Sequence, residues 1–278
     1  MRTFIVGDLC ANHNGDVGIA LQLIEKAVLA GFDAVKFQKR NPELYPETPK
    51  DSPILGPCTY REHRRALEFG KTEYDIIDRY CEDIGSEWFA SCWDLDSVDF
   101  MAQYKPRHWK IASMGITDLE LVANIAQMPG EVIMSTGLSD ADMVTDALRV
   151  LRRYKDNSEI TLLHCCGEYP TPRKHVNLKR ISWMKNLYPY RIGYSSHDGG
   201  VPISVTAVGM GAEVIEVHIT LDRMLPGSDH VVSLAPVGME TLVRHIRAVE
   251  EALGVPEKQY YEAERKKRES MKQQEVTT

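Results

Sequence analysis

The sequence predicts a (β/α)8 TIM barrel, and three observations carry that prediction. Short apolar, β-branched runs alternate eight times with helix-period stretches. The glycine-rich dinucleotide fingerprint of an open doubly wound sheet is absent after the first run. The chain has 278 residues, 43% of them hydrophobic, enough to close one large core at the usual length of such barrels.

The elements follow in order. Strands are expected at 3–8, 33–37, 87–91, 108–112, 131–135, 159–164, 191–195 and 213–219, and helices at 17–30, 72–84, 95–104, 118–127, 140–154, 177–187, 200–210 and 237–253. In the first helix Ile19, Leu23, Ala27 and Ala30 share a face, and Gly31 supplies the stop. One long interruption, 39–70, separates the second strand from its helix and contains Pro42, Pro46, Pro49, Pro53 and Pro57. A segment that long at the catalytic end of a barrel reads as a substrate-covering element. Residues 1–254 therefore form the predicted barrel with insertion 39–70, and 255–278 a charged tail that reads as a solvated or frayed end.

Bulk properties exclude several classes. A net charge of −7 argues against a general nucleic-acid binder while allowing a local basic pocket. The N-terminal run lacks a signal peptide's apolar core and cleavage site, and no stretch is long enough for a membrane span, so a cytoplasmic protein is expected. The six cysteines have no paired CxxC spacing and are expected to be reduced.

Chemistry in a barrel collects where strands run into the following loops. Here those ends carry Asp8, Asn12, His13 and Asn14; Lys36 and Gln38; Ser91 and Cys92; Lys110 and Ser113; Ser135 and Thr136; His164 and Tyr169; Ser195 and His197; Glu216 and His218. Lys36 in AVKFQ and Lys110 in HWKIAS sit among apolar neighbours, and with the nearby serines they predict one anion site. His197 and His218 end consecutive strands, so both imidazoles could reach one divalent ion, with Asp8 or Asp198 completing its shell. Cys10, Cys92 and Cys165 could in principle gather around zinc, but free cysteine is a common small buried residue, and that reading is preferred.

The segments ANHNGD, AGFDAVKFQ, KIAS, MSTGLS, LHCCGEYPTP, GYSSHDGG, VIEVHITLDR and PGSDH, in that order along most of the chain, resemble the sialic acid synthase family. The resemblance implies a barrel that condenses phosphoenolpyruvate with an open-chain aldose, aided by Mn2+ or Mg2+. It implies that Lys36, Lys110, Ser113, Ser135 and Ser195 hold the phosphate and carboxylate, with Gln38 and Tyr169 lining the pocket. His197 and His218 would hold the metal, and Asp229 would lie near the sugar hydroxyls. Asp8, Asn12 and Asn14 are the matching strand-one residues. The chemistry implied is attack of the enol C3 on the aldehyde, addition of water to C2 and loss of phosphate.

The sequence also departs from the family pattern. Gly115 stands where an acidic residue is usual, Asp8 is one methylene short, Cys92 replaces a hydroxyl, Gly167-Glu168 precedes Tyr169, and Val217 replaces a basic residue. The family's C-terminal antifreeze-like domain is not recognised in the sequence, so a separate protein supplying it is one expected partner, beside a second copy in a homodimer. Two other functions remain open: a metal-dependent barrel aldolase or lyase acting on a pyruvate-derived substrate, and a non-catalytic relative.

Overall fold

The computed structural model describes residues 2–275. Met1 and residues 276–278, the last part of the predicted tail, lie outside the described residues. Eight parallel strands close into a barrel: β1 (Phe4–Asp8), β2 (Ala34–Lys39), β5 (Glu87–Cys92), β6 (His108–Ile111), β7 (Glu131–Ser135), β8 (Ile160–Cys165), β9 (Arg191–Ser196) and β10 (Val214–His218). The first and last of these pair with each other, Phe4 beside Val214 and Asp8 beside His218. All eight predicted strands and all eight predicted helices are present.

The helices form an outer layer whose apolar faces pack on the strands. Helix α1 (Val17–Ala30) is capped by the Asp16 carboxylate, which accepts from the amides of Gly18 and Ile19, and it ends on Gly31 at φ 91°. Its buried face is Ala20, Leu23, Ile24 and Ala27. The inward stripe is thus turned from the predicted one, with Ile19 and Ala30 at its edge.

Alternation along the strands sorts the barrel interior into levels. A middle level of Val6, Ala34, Phe89, Ile133, Leu163 and Val214 packs into a small apolar cluster. Gly193 belongs to the same level. A Cβ there would lie 2.4 Å from the Val214 carbonyl oxygen and 2.5 Å from Leu163, so only glycine lets the strands close at this point. One residue pair below, at the N-terminal end, His108 is held by Glu87, lies 3.6 Å from Glu131, and shares Glu131 with Arg191 at 3.2 Å. Burial would lower the His108 pKa, but the two carboxylates raise it to about 9.

The insertion after β2 has its own structure: a hairpin of β3 (Pro49–Ser52) and β4 (Gly56–Thr59), then helix α2 (Tyr60–Leu67). Thr59 and Glu62 form a reciprocal cap at the start of α2. Residues 262–275 of the tail, expected as a solvated or frayed end, form a helix that is exposed over residues 262–272. No helix among the described residues is long and apolar enough to cross a membrane.

Candidate active site

Above the apolar level, the C-terminal halves of the strands turn polar residues into a cavity of about 340 Å³. Its floor is a network of buried charge. Lys36 donates to Asp8 at 2.6 Å and to Ser91 at 3.0 Å, and its ammonium lies 3.7 Å from Glu216. Lys110 donates to Ser135 at 2.7 Å and to the Ile111 carbonyl at 2.9 Å, and lies 4.0 Å from the other Glu216 oxygen. Ser195 donates to Glu216 at 3.0 Å.

The two lysines differ in environment. Burial works against both charges, yet the Asp8 and Glu216 carboxylates hold the Lys36 pKa above its usual value. For Lys110 burial prevails, helped by the nearby Lys36, and its pKa is lowered. Glu216 keeps one oxygen, Oε2, buried without a hydrogen-bond partner. Such a floor is charged but incompletely satisfied: the orphan carboxylate oxygen has room for a hydroxyl or proton donor, while the two ammonium groups are the partners for an anion.

At the mouth, the His197 and His218 rings lie 5.2 Å apart. His197 donates through Nδ1 to the Cys166 carbonyl at 2.8 Å, which leaves Nε2 to accept from the Tyr169 hydroxyl at 2.7 Å. Burial and the neighbouring His218 hold the His197 pKa down at about 4, so the ring is neutral at pH 7. Its free lone pair is covered by Tyr169, whose ring stacks on it at 3.9 Å. His218 Nδ1, by contrast, is buried with no partner, and Nε2 lies 3.7 Å from Asp8.

Three donors converge beside His218. Cys10, His218 and Asp229 each offer an atom within 4.8 Å of the other two. Cys10 and Asp229 are in direct contact at 2.5 Å. Asp198 is not part of this group: its carboxylate takes the Ser196 hydroxyl, and it does not line the cavity. Of the two acids expected to complete a metal shell, Asp198 therefore stands apart, while Asp8 lies beside His218.

Most predicted residues line the one cavity: Asp8, Asn12, Asn14, Lys36, Gln38, Lys110, Ser113, Ser135, Tyr169, Ser195, His197, His218 and Asp229. The Asn12 amide nitrogen is committed to the Ile219 carbonyl and Ser233 hydroxyl, both at 2.8 Å, so it ties the loop after β10 to the loop after β1, while its Oδ1 is buried without a partner. Gly115 does not line the cavity, and a Cβ there would meet Leu121 and Ile111. The carboxylates inside the cavity are Asp8, Glu216 and Asp229.

Sequence reasoning did not single out the lid cations. Lys50, Tyr60, His63 and Arg64 of the insertion roof the cavity, beside Arg40. Arg64 stacks over Tyr45 and Tyr60 and donates to the Tyr60 hydroxyl at 2.6 Å, while its Nε has no partner. Among the described residues neither Arg64 nor Lys50 has a carboxylate within salt-bridge reach. Glu216 was legible, since an acid inside VIEVH carries the same signal as Lys36 inside AVKFQ.

The comparisons agree with this geometry. A sequence model described as the NeuB family matches residues 23–258. The chain is 36% identical to human N-acetylneuraminate-9-phosphate synthase over 92% of its own length and 72% of that protein's. It is 35% identical to N,N'-diacetyllegionaminic acid synthase of Campylobacter jejuni over 91% and 78%. Among solved structures it superposes on the N-acetylneuraminic acid (sialic acid) synthetase of Leptospira borgpetersenii in complex with citrate. The TM-score is 0.85 at 30% identity, covering 97% of this chain and 91% of that one.

Proposed function

The chain belongs to the NeuB family, and from that premise we propose that it condenses phosphoenolpyruvate with a sugar aldehyde. The product is a nonulosonic (sialic) or related 2-keto-3-deoxy acid, released with inorganic phosphate. The observation that carries the reading is the convergence of Lys36 and Lys110 on Glu216 at the floor of the cavity.

Phosphoenolpyruvate is small and multiply anionic, and needs both charge and hydroxyl donors. Lys110, Ser113, Ser135 and Ser195 supply these on one side of the floor and Lys36 with Ser91 on the other. Gln38 and Tyr169 form the wall. Binding places the enol carbon C3 towards the mouth, where the aldehyde enters beneath the lid. As C3 bonds to the aldehyde carbon, positive charge develops at C2 and negative charge on the aldehyde oxygen. The carboxylates of Glu216 and Asp8 face the first, and the lysines hold the phosphate that leaves. Water adds to C2 and one of its protons passes through a cavity carboxylate to the alkoxide; the C2 hydroxyl then gives its proton to the departing phosphate as the C2–O bond to phosphate breaks, leaving the 2-keto group. Asp229 and Asn14 face the part of the cavity that holds the sugar hydroxyls.

The residues at the mouth fit a divalent ion, because a buried imidazole nitrogen without a partner beside a carboxylate and a thiol is a ligand set. His218 and His197 are the imidazoles that would hold it, and the ion, Mn2+ or Mg2+ in this reading, supplies Lewis-acid polarisation of the aldehyde.

The test is phosphate release from phosphoenolpyruvate with a divalent ion and a panel of aldoses and acylamino aldoses of three to six carbons. Release that requires both substrates is expected. Cleavage of a 2-keto acid to pyruvate with no phosphate chemistry would establish an aldolase instead, and no turnover with any acceptor would overturn the reading.

A further inference from the structure

We propose that the acceptor carries an anionic group at the end remote from its aldehyde, and that Lys50 and Arg64 of the insertion grip that group. The proposal rests on the synthase reading for the reaction, while binding at the roof can be tested without turnover.

The cavity has two separate cationic patches. The floor lysines stand on β2 and β6 and face Glu216. The second patch belongs to the insertion: Lys50 lies on β3 and Arg64 on α2, and both line the cavity. One small anion satisfies the floor. A second patch in the same cavity calls for a second anionic group, and the acceptor is the other substrate of the reaction.

The roof charges are not neutralised by the segment that carries them. Its acids are engaged elsewhere: Glu43 pairs with Arg65, Glu47 with Arg61 and Glu68 with Lys39, while Glu62 caps α2. Asp51 is exposed and lies on the face of β3 opposite Lys50, since side chains alternate along a strand. Among the described residues Lys50 and Arg64 therefore form no ion pair, in a chain whose net charge is −7.

Both cations are seated on aromatic rings before any ligand arrives. Arg64 stacks over Tyr45 at 5.4 Å and over Tyr60 at 5.0 Å, and it donates to the Tyr60 hydroxyl at 2.6 Å. The Lys50 ammonium lies 5.6 Å from the centre of the same Tyr60 ring. Long side chains ordered in advance lose less entropy when they bind. The Arg64 Nε atom is buried with no partner, a donor that a phosphate or carboxylate oxygen would satisfy. Burial, with the Lys50 and Arg64 charges, lowers the pKa of His63 beside them, so the field under the roof is positive.

This roof stands at the acceptor end of the cavity. Burial pushes the Asp229 pKa up, yet His218, hydrogen bonds from Cys10 and Ser228, and the Arg64 charge bring it below its usual value. Arg64 is thus within electrostatic reach of the carboxylate assigned above to the sugar hydroxyls. An acceptor with its aldehyde at the histidines runs past Asp229 and puts its far end beneath Arg64. A phosphate monoester and a carboxylate share the chemistry recognised there, since both offer anionic oxygens to charge-assisted donors.

The test compares three forms of each aldose: unmodified, with a phosphate monoester on the terminal carbon, and with that carbon oxidised to a carboxylate. In the wild type, kcat/KM for phosphate release should favour one charged form over the neutral parent by at least about tenfold. The favoured form tells a sugar phosphate from a sugar acid. That ratio should fall severalfold in Lys50→Gln and in Arg64→Gln, and approach unity in the double variant. Lys50 is half-buried on the hairpin, so its variant keeps the test open should Arg64→Gln, which loses the Tyr60 contacts, fold poorly. The second arm is calorimetric titration of the full chain with the matching alditol phosphate or aldonate, which has no aldehyde to react. It should bind at least about tenfold more tightly than the neutral alditol, lose that advantage in the double variant, and bind as well with phosphoenolpyruvate present. A neutral acceptor that matches both charged forms, or a preference that survives in the double variant, would overturn the proposal. So would displacement of the charged alditol or aldonate by phosphoenolpyruvate, which would place it on the floor lysines. If no acceptor supports phosphate release, the synthase reading falls, and the titration alone decides the roof.

Discussion

The barrel buries charge at both ends, and the two ends treat it differently. At the bottom, His108 lies between Glu87 and Glu131, Arg191 holds Glu131 from the other side, and every charge has a near opposite. At the top, two lysines and two carboxylates are buried more deeply still. There Glu216 keeps an unpartnered oxygen, the Lys110 pKa is depressed, and an open cavity lies above. Buried charge alone therefore does not mark a site. The mark is charge left unsatisfied beside space, because only such groups have interactions still to make. In barrels the bottom face serves stability and the top face chemistry, and here the difference can be stated atom by atom.

Substitutions can break this contrast. The largest effect is expected from Lys110→Met, which removes a charge that burial disfavours. Phosphate release should fall about ten- to a hundredfold in kcat/KM, since a charge-assisted contact contributes about 1.5–3 kcal/mol. The thermal midpoint should change little, because Lys36 still faces Glu216 at 3.7 Å and the charge removed is one that burial already disfavours. A folded variant with near-normal kcat/KM would remove Lys110 from the site, and a large fall in midpoint would mean that the top end is structural too.

His108→Gln should do the reverse. Stability is expected to drop by about 1–2 kcal/mol, less than for a fully buried pair because Glu131 is partly exposed, while kcat/KM stays unchanged. Urea unfolding beside a turnover assay reads both, and loss of activity in a folded variant would blur the two ends.

The pH dependence sharpens the same point. The folded pKa of His108 is raised to about 9 from 6.5, so its stabilisation is fully present below pH 6.5 and is lost as pH rises through about 9. The gap in urea midpoint between wild type and His108→Gln should close over that interval; a gap independent of pH would mean that the ring is neutral in the fold. The smallest effect is expected at the lid, where Arg64→Ala should raise the acceptor KM only severalfold and leave the KM for phosphoenolpyruvate unchanged.

Much of this was legible in the sequence, for a definable reason. Strand and helix periodicity is a local signal, and the lysines, Glu216 and the two histidines stand out because each interrupts an apolar run. The insertion was readable as a covering element but not as a hairpin and a helix. Its prolines mask periodicity, and its cations acquire meaning only when the segment folds over the mouth. Cys10 was passed over because composition favours the buried-thiol reading. What brings its sulfur to His218 and Asp229 is a left-handed backbone turn at a residue whose type does not announce one. The inward face of α1 was misplaced because the helix leans on neighbours that its own pattern does not describe.

The pairing of β1 with β10 has a consequence in time. Asp8, Cys10 and Lys36 are made early in synthesis, whereas Glu216, His218 and Asp229 are made late, and the two groups meet only when the ring shuts. Until then the early lysine has Asp8 but lacks Glu216, and the lone thiol has no companions. The seam is the contact of greatest sequence separation in the barrel, the kind that forms late because loop closure must precede its reward. Only when the ring shuts does Lys36 come within 3.7 Å of Glu216, and His218 within 3.7 Å of Asp8. A ligand that touches both groups would bind the closed ring and not the open one, so resistance to unfolding would rise with its free concentration by mass action.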